Sequence, residues 1–107
     1  MSTQSVIEHH VQALADGDLE ANMADYADDC VFIGNGHVLK GKDAVRQVFA
    51  GALANGPFKV TLKDALYHGT TGFITWEVPG VIKLGTDTFV VENDKIVVQT
   101  NAVVMAG

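Results

Sequence analysis

The sequence predicts an α+β domain. In its first half, apolar residues recur at the spacing of amphipathic helices. In its second half they alternate with a period of two, as in strands with one wet face. Pro79-Gly80 and Asn93-Asp94 then divide that half into antiparallel neighbours.

Val6, Ile7, His10, Val11 and Leu14 predict a helix over about 3–15. Ser5 followed by Glu8 has the pattern of a capping box, and Ser2 offers an alternative start. Gly17 is suited to end this helix in the left-handed conformation, and Asp18 to cap the next one. Leu19, Met23 and Tyr26 then line one face of a short second helix. Cys30–Ile33 predicts a short strand, broken by Gly34-Asn35-Gly36. A third helix is expected over about 42–54, burying Val45, Val48, Phe49, Ala52 and Leu53, and Asn55-Gly56-Pro57 stops it. Phe58, Val60, Leu62 and Leu66 alternate with Lys59, Thr61 and Lys63, which predicts the next strand. Gly69 marks a turn before a strand at 72–78, and Pro79-Gly80 suits a type II turn. Val81–Val91 follows, with a bulge expected at Gly85. Asn93-Asp94 closes a tight hairpin, and Ile96–Met105 is the last strand. The expected order is helix, helix, strand, helix and four antiparallel strands.

The 107 residues suffice for one domain, 1–107, and carry no repeats or linkers. At 48% hydrophobic and 19% charged, the composition is that of a globular protein. No apolar run approaches the ~18 residues that span a bilayer, and Met1–Glu8 lacks the basic-then-apolar pattern of a secretory signal. Cys30 is the single cysteine, so no internal disulfide forms, and a cytoplasmic location is the default. The formal charge of −6, with no basic stripe, argues against nucleic acid and anionic membranes as partners. His9, His10, His37 and His68 show no ligand spacing, and no thiolate pair exists, so no metal is expected. The glycines at 34, 36 and 41 lead to no phosphate loop, and no cofactor is expected.

In the last strand Val97, Val98, Val103 and Val104 are apolar on both faces, as are Phe89 and Val90 opposite. Helices can cover only one face of a sheet. The other face predicts a homodimer, or else a sheet curled enough to shield both faces itself.

The segments His10-Val11-Gln12-Ala13-Leu14 and Gly17-Asp18-Leu19 stand near the start. Tyr26-Ala27-Asp28-Asp29-Cys30-Val31-Phe32, Gly41-Lys42-Asp43-Ala44-Val45 and the hairpin from Asp87-Thr88-Phe89 to Lys95-Ile96-Val97 follow in order. Taken together, over nearly the whole chain, they resemble the nuclear transport factor 2-like superfamily, which includes ketosteroid isomerases and SnoaL-like polyketide cyclases. The resemblance implies a cone-shaped α+β barrel, with three N-terminal helices packed on a curved antiparallel sheet around a pocket. It also implies dimers formed through the sheet, and a small apolar ligand.

Asp87 shares strand parity with Phe89 and Val91, so it is expected among apolar groups, where burial raises the pKa of a carboxyl. A neutral acid there would donate a hydrogen bond to a carbonyl or oxyanion; the alternative is a strand-start aspartate that tethers backbone or faces solvent. The resemblance puts Asp87 at the oxyanion-hole acid of ketosteroid isomerases. It puts His10, on the apolar side of the first helix, at a tyrosine donor of those enzymes. His10 is thus read either as a catalytic donor or base, or as a buried structural histidine. Gln99 and Asn101 share parity with Val103 and Met105, setting polar groups on an apolar face. Tyr26, Phe32, Phe49, Trp76 and Phe89 are read as ligand-binding walls, with Asn101, Val103 and Met105. Which of Trp76 and Glu77 faces inward stays open. The chain departs from the isomerase pattern at Gly34, which stands where those enzymes carry an aspartate base. His37, in the following loop, is the remaining histidine near that position. These residues predict an acid–base enzyme of isomerase, cyclase or hydrolase type on an apolar carbonyl compound, or a non-catalytic ligand-binding or dimerisation domain.

Overall fold

The computed structural model describes residues 2–107. Helix α1 spans Thr3–Asp16 and starts at Ser2, not Ser5. Ser2 and Ser5 form the reciprocal capping box, each hydroxyl accepting from the other's backbone N–H at 3.0 and 2.9 Å. Gly17 ends the helix at φ 71°, the left-handed conformation that a glycine adopts without a Cβ penalty. Asp18 caps α2, Leu19–Met23, by accepting from Ala21 N–H at 3.0 Å. Tyr26 is not on this helix. It begins strand β1, Tyr26–Gly34, because the chain turns at Ala24-Asp25 and Asp25 C=O accepts from Ile96 N–H at 2.7 Å. The helical spacing from Leu19 to Tyr26 reflects a shared core, not a shared element.

A strand absent from the sequence expectation follows. β2, His37–Lys40, pairs antiparallel with Val31–Gly34 through a two-residue turn. Asn35 and Gly36 sit at φ 54° and 77°, as a type I′ turn requires. Helix α3, Lys42–Ala52, ends two residues earlier than expected and buries Val45 and Phe49. The remaining strands are β3 Thr61–His68, β4 Thr71–Val78, β5 Ile82–Glu92 and β6 Lys95–Met105. The sheet order is β2-β1-β6-β5-β4-β3. Four pairings are antiparallel, and β1 runs parallel to β6. The sheet curves around the helices but stays open, with β2 and β3 as its edges.

The alternation expected from Phe58 to Leu66 does not hold. The strand starts at Thr61, and a register shift between Leu62 and Asp64 breaks the period, leaving Leu62 and Leu66 exposed. Phe58 and Val60 pack on the core from the preceding segment. Gly85 is not a bulge either. It pairs in register with Trp76 and Val103, and the irregularity lies between Ile82 and Leu84. Gly85 is the seat of the Trp76 indole, since a Cβ there would lie 2.2 Å from Trp76 Cε2. The turns at Pro79-Gly80 and Asn93-Asp94 form as expected, the latter with φ 51° and 63°.

Burial follows the pleat. Phe32, Ile74, Trp76, Asp87, Phe89 and Gln99 lie on the concave face, with α1 and α3 closing over them. On the convex face Leu66, Val104, Ile33 and Leu84 remain exposed.

Candidate functional site

Between α1, α3 and the concave face lies a cavity of about 200 Å³. Val11 and Leu14 from α1, Val48 and Phe49 from α3, and Ile74 and Trp76 from β4 make most of its wall apolar. The polar groups on it are His10, Asn35, Asp87, Gln99 and Asn101. This is the pattern of a small-molecule site, in which apolar area supplies affinity and a few polar groups set orientation.

Asp87 is 5% exposed and accepts three hydrogen bonds. Asn101 Nδ2 and Trp76 Nε1 donate to Oδ1 at 2.6 and 3.3 Å, and Gln99 Nε2 donates to Oδ2 at 2.9 Å. Burial raises its pKa, and the bonds from Asn101, Gln99 and Trp76 oppose that rise only in part. Three donors also suit a neutral acid. The carbonyl oxygen can take Asn101 and Trp76, the hydroxyl oxygen Gln99, and the acid proton is left over.

His10 is 2% exposed, with Phe89, Phe49 and Tyr26 packed at its edges, ring centroids 5.3, 5.5 and 5.9 Å away. Desolvation lowers its pKa from 6.5 to about 4. The Asn22 side chain opposes this from close by, although its buried Oδ1 completes no hydrogen bond, and neighbouring His9 adds slightly to the lowering. His10 is therefore a neutral imidazole at pH 7. Its Nδ1 lies 3.4 Å from the Tyr26 hydroxyl, which donates to Gln99 Oε1 in a short hydrogen bond.

The cavity wall brings together Asp87, His10, Phe32, Phe49, Trp76, Asn101 and Val103. Trp76 faces inward, and Glu77 does not line the cavity. Tyr26 and Phe89 sit one layer behind the wall, at 2% and 0% exposure. Met105 stands outside the cavity at the end of β6, 60% exposed. Gln99 was legible only as a polar residue of the right parity, yet it bonds to both Asp87 and Tyr26. Asn35, read from the sequence only as part of a break, also reaches the wall.

Gly34 lines nothing. A Cβ at that position would meet Asn101 O at 2.6 Å, so the backbone of β6 occupies the space a carboxylate side chain would need. His37 is exposed and away from the cavity. Asp87 is the one carboxylate on the wall, and His10 is its one histidine, among the described residues. No cluster of His, Cys, Asp and Glu able to hold a metal occurs among the described residues, and no described helix is long and apolar enough to cross a membrane.

Comparison with known proteins agrees with this architecture. The family profile of the SnoaL-like domain matches residues 7–99. Among solved structures, an NTF2-like protein of unknown function from Cytophaga hutchinsonii superposes with a TM-score of 0.84 at 12% identity, covering 97% of this chain and 91% of that one. A candidate polyketide cyclase from Sinorhizobium meliloti gives 0.81 at 15% identity, covering 95% and 100%. A hypothetical protein with a ketosteroid isomerase-like fold from Catenulispora acidiphila, in complex with trimethylamine, gives 0.72 at 14% identity, covering 91% and 83%. At these identities the likeness is one of fold. No curated protein sequence matches the chain.

Proposed function

The chain belongs to the family of SnoaL-like domains, and we propose that it binds a small, largely apolar carbonyl compound and moves a proton on it by acid–base catalysis. The observation that carries this reading is Asp87, the one carboxyl on the cavity wall among the described residues, buried in a mostly apolar lining and braced by three donors. In the neutral form that its burial favours, Asp87 donates a hydrogen bond to the ligand's carbonyl oxygen, while Asn101, Trp76 and Gln99 hold the carboxyl in place. Negative charge that develops on that oxygen is stabilised by this bond without rearrangement of solvent. His10, neutral at pH 7, supplies the lone pair that accepts a proton from the ligand.

Cavity size narrows the substrate. An apolar cavity of about 150 Å³ holds benzene, so about 200 Å³ holds one ring with a short substituent. A monocyclic enone suits it, and a fused four-ring skeleton exceeds it.

One observation favours a second reading, binding without turnover. Gly34 and the β6 backbone leave no room for a second carboxylate. Both readings are tested on cyclohexenone in D₂O. Quenching of the single tryptophan, Trp76, reports binding, and NMR reports deuterium entering the carbon next to the carbonyl. Binding with exchange, both weakened by Asp87→Asn, supports the enzyme. Binding without exchange leaves a ligand-binding domain, and no binding of any one-ring carbonyl compound removes both.

We also read the protein as a cytoplasmic homodimer joined through the convex sheet face. The exposed Leu66, Val104, Ile33 and Leu84 support the dimer, and the single buried Cys30 supports the location.

A further inference from the structure

The two titratable side chains of the cavity are linked by a buried chain of hydrogen bonds through Gln99 on the wall and Tyr26 behind it. Gln99 Nε2 donates to Asp87 Oδ2 at 2.9 Å, Tyr26 Oη donates to Gln99 Oε1, and Tyr26 Oη lies 3.4 Å from His10 Nδ1. His10, Tyr26 and Gln99 are each 2% exposed, so their polar atoms depend on one another. A phenol has one proton. Spent on Gln99, it obliges His10 Nδ1 to be the donor to Tyr26, and a neutral ring then carries its lone pair on Nε2.

This direction leaves one buried acceptor unpaired, Asn22 Oδ1, whose side chain lies beside His10. The chain can also run the other way. A neutral Asp87 donates to a turned Gln99 carboxamide, Gln99 donates to Tyr26 Oη, and Tyr26 donates to His10 Nδ1. The ring proton then sits on Nε2. The ring stays neutral in both directions. They differ by one proton, held on Asp87, and by transfer of the ring N–H from Nδ1 to Nε2.

We propose that Gln99 and Tyr26 are positioning residues that tie the tautomer of His10 to the hydrogen-bonding state of Asp87. Where Asp87 is ionised, or where its proton is engaged by a ligand oxygen, Gln99 donates to it and His10 Nε2 is bare. Where Asp87 is neutral and has no ligand, Gln99 accepts from it and His10 Nε2 is protonated. One consequence rests on the carbonyl-binding reading: seating a carbonyl oxygen at Asp87 leaves His10 Nε2 without its proton, so one binding event sets the state of both residues. The other titratable groups around the chain do not intervene. His9 is paired with Asp25 at 2.6 Å, and burial pushes the Cys30 thiol and the Tyr26 phenol up, which keeps both neutral.

The test is the histidine tautomer in ligand-free protein, read from long-range ¹H–¹⁵N spectra. At a pH above the titration of the Asp87 carboxyl, followed by its ¹³C signal, His10 is expected to be protonated on Nδ1. In Asp87→Asn the new carboxamide keeps its oxygen for Trp76 and Asn101 and turns an N–H toward Gln99. It thereby imitates the neutral acid, and His10 at the same pH is expected to be protonated on Nε2. Adding Tyr26→Phe should erase the difference between the two backgrounds. An unchanged tautomer in Asp87→Asn overturns the proposal, as does a difference that survives Tyr26→Phe. Should these variants not fold, the wild type decides alone: the tautomer must exchange with the midpoint of the Asp87 carboxyl, and a constant tautomer through that midpoint overturns the coupling. No ligand enters the measurement, so it can fail while carbonyl binding holds, and the reverse.

Discussion

Acidification should destabilise this protein through His10, and the size of the effect follows from its burial. In the unfolded chain the imidazole titrates near 6.5, and in the folded chain at about 4, chiefly because burial strips water from the charged ring. A group whose folded pKa is lowered binds fewer protons when native, so stability falls as pH drops through the window between the two values. At about 1.4 kcal/mol per pH unit, the gap from 6.5 to about 4 amounts to about 3 kcal/mol, of which about 2 kcal/mol is lost between pH 7 and about pH 4.5. Asp87 acts with the opposite sign. Its raised pKa gives a contribution that is complete below the ordinary carboxylate range and disappears as pH rises through the folded value. The measurement is therefore a difference of differences. Urea denaturation at pH 7 and about pH 4.5 gives the acid-induced loss for the wild type and for His10→Gln, which keeps a polar group against Tyr26 but does not titrate. The variant will be less stable at both pH values, having lost ring contacts with Phe49 and Phe89. Its acid-induced loss should nevertheless be smaller than that of the wild type by about 2 kcal/mol. Equal losses in the two proteins would refute the argument, because a hydrated, freely titrating His10 is the arrangement that produces them.

Three further outcomes are expected. Phe89→Ala should cost about 3–5 kcal/mol in chemical denaturation, because the ring is fully buried between His10 and the sheet; a change under about 1 kcal/mol would put Phe89 outside the core. Gly85→Ala should cost about 1–3 kcal/mol by overpacking and displace the Trp76 indole from Asp87, because the new methyl group lies 2.2 Å from Trp76 Cε2; unaltered tryptophan emission with unaltered stability would show that the indole does not rest there. Leu66→Lys with Val104→Lys should leave the fold intact and convert a dimer to a monomer in sedimentation, since both side chains are exposed on the convex face; a wild type that sediments as a monomer at micromolar concentration would remove the interface.

The fold was legible because its punctuation is chemical. Gly17, Pro79-Gly80 and Asn93-Asp94 each require a backbone conformation that few residues adopt, and each stands where the chain turns. What escaped had signals of the same kind. Asn35-Gly36 is a hairpin signal as clear as Asn93-Asp94, but the following strand has four residues, too few to display a period. Tyr26 lies outside the helix that its spacing suggests because i, i+4 and i+7 spacing marks a common buried side and not a continuous helix. Gly85 shows the limit of glycine as punctuation. It is required by a side chain on the neighbouring strand, and no local pattern contains that information.

The site itself turns on one residue that parity arguments cannot supply. The Asn93-Asp94 turn pairs Glu92 with Lys95 and Val91 with Ile96, and an unbroken ladder continued from there would set Asp87 opposite Thr100. Asp87 and the amides of β6 would then occupy different faces, and the carboxyl would be buried without them. A register shift between Val90 and Val91 leaves Val97 as the extra residue on β6, and from that point Asp87 stands opposite Asn101. Part of the apolar run Ile96-Val97-Val98 is thus the signature of the bulge, while Val104 is apolar on the exposed convex face. The bulge also brings Gln99 onto the concave face next to Asp87, where a single carboxamide bonds both to the acid and to Tyr26. Asp87 could be chosen from the sequence because an acid among alternating apolar residues is costly unless it is used or satisfied. Its partners could not be chosen, because one unpaired residue in a neighbouring strand decides which side chains face it.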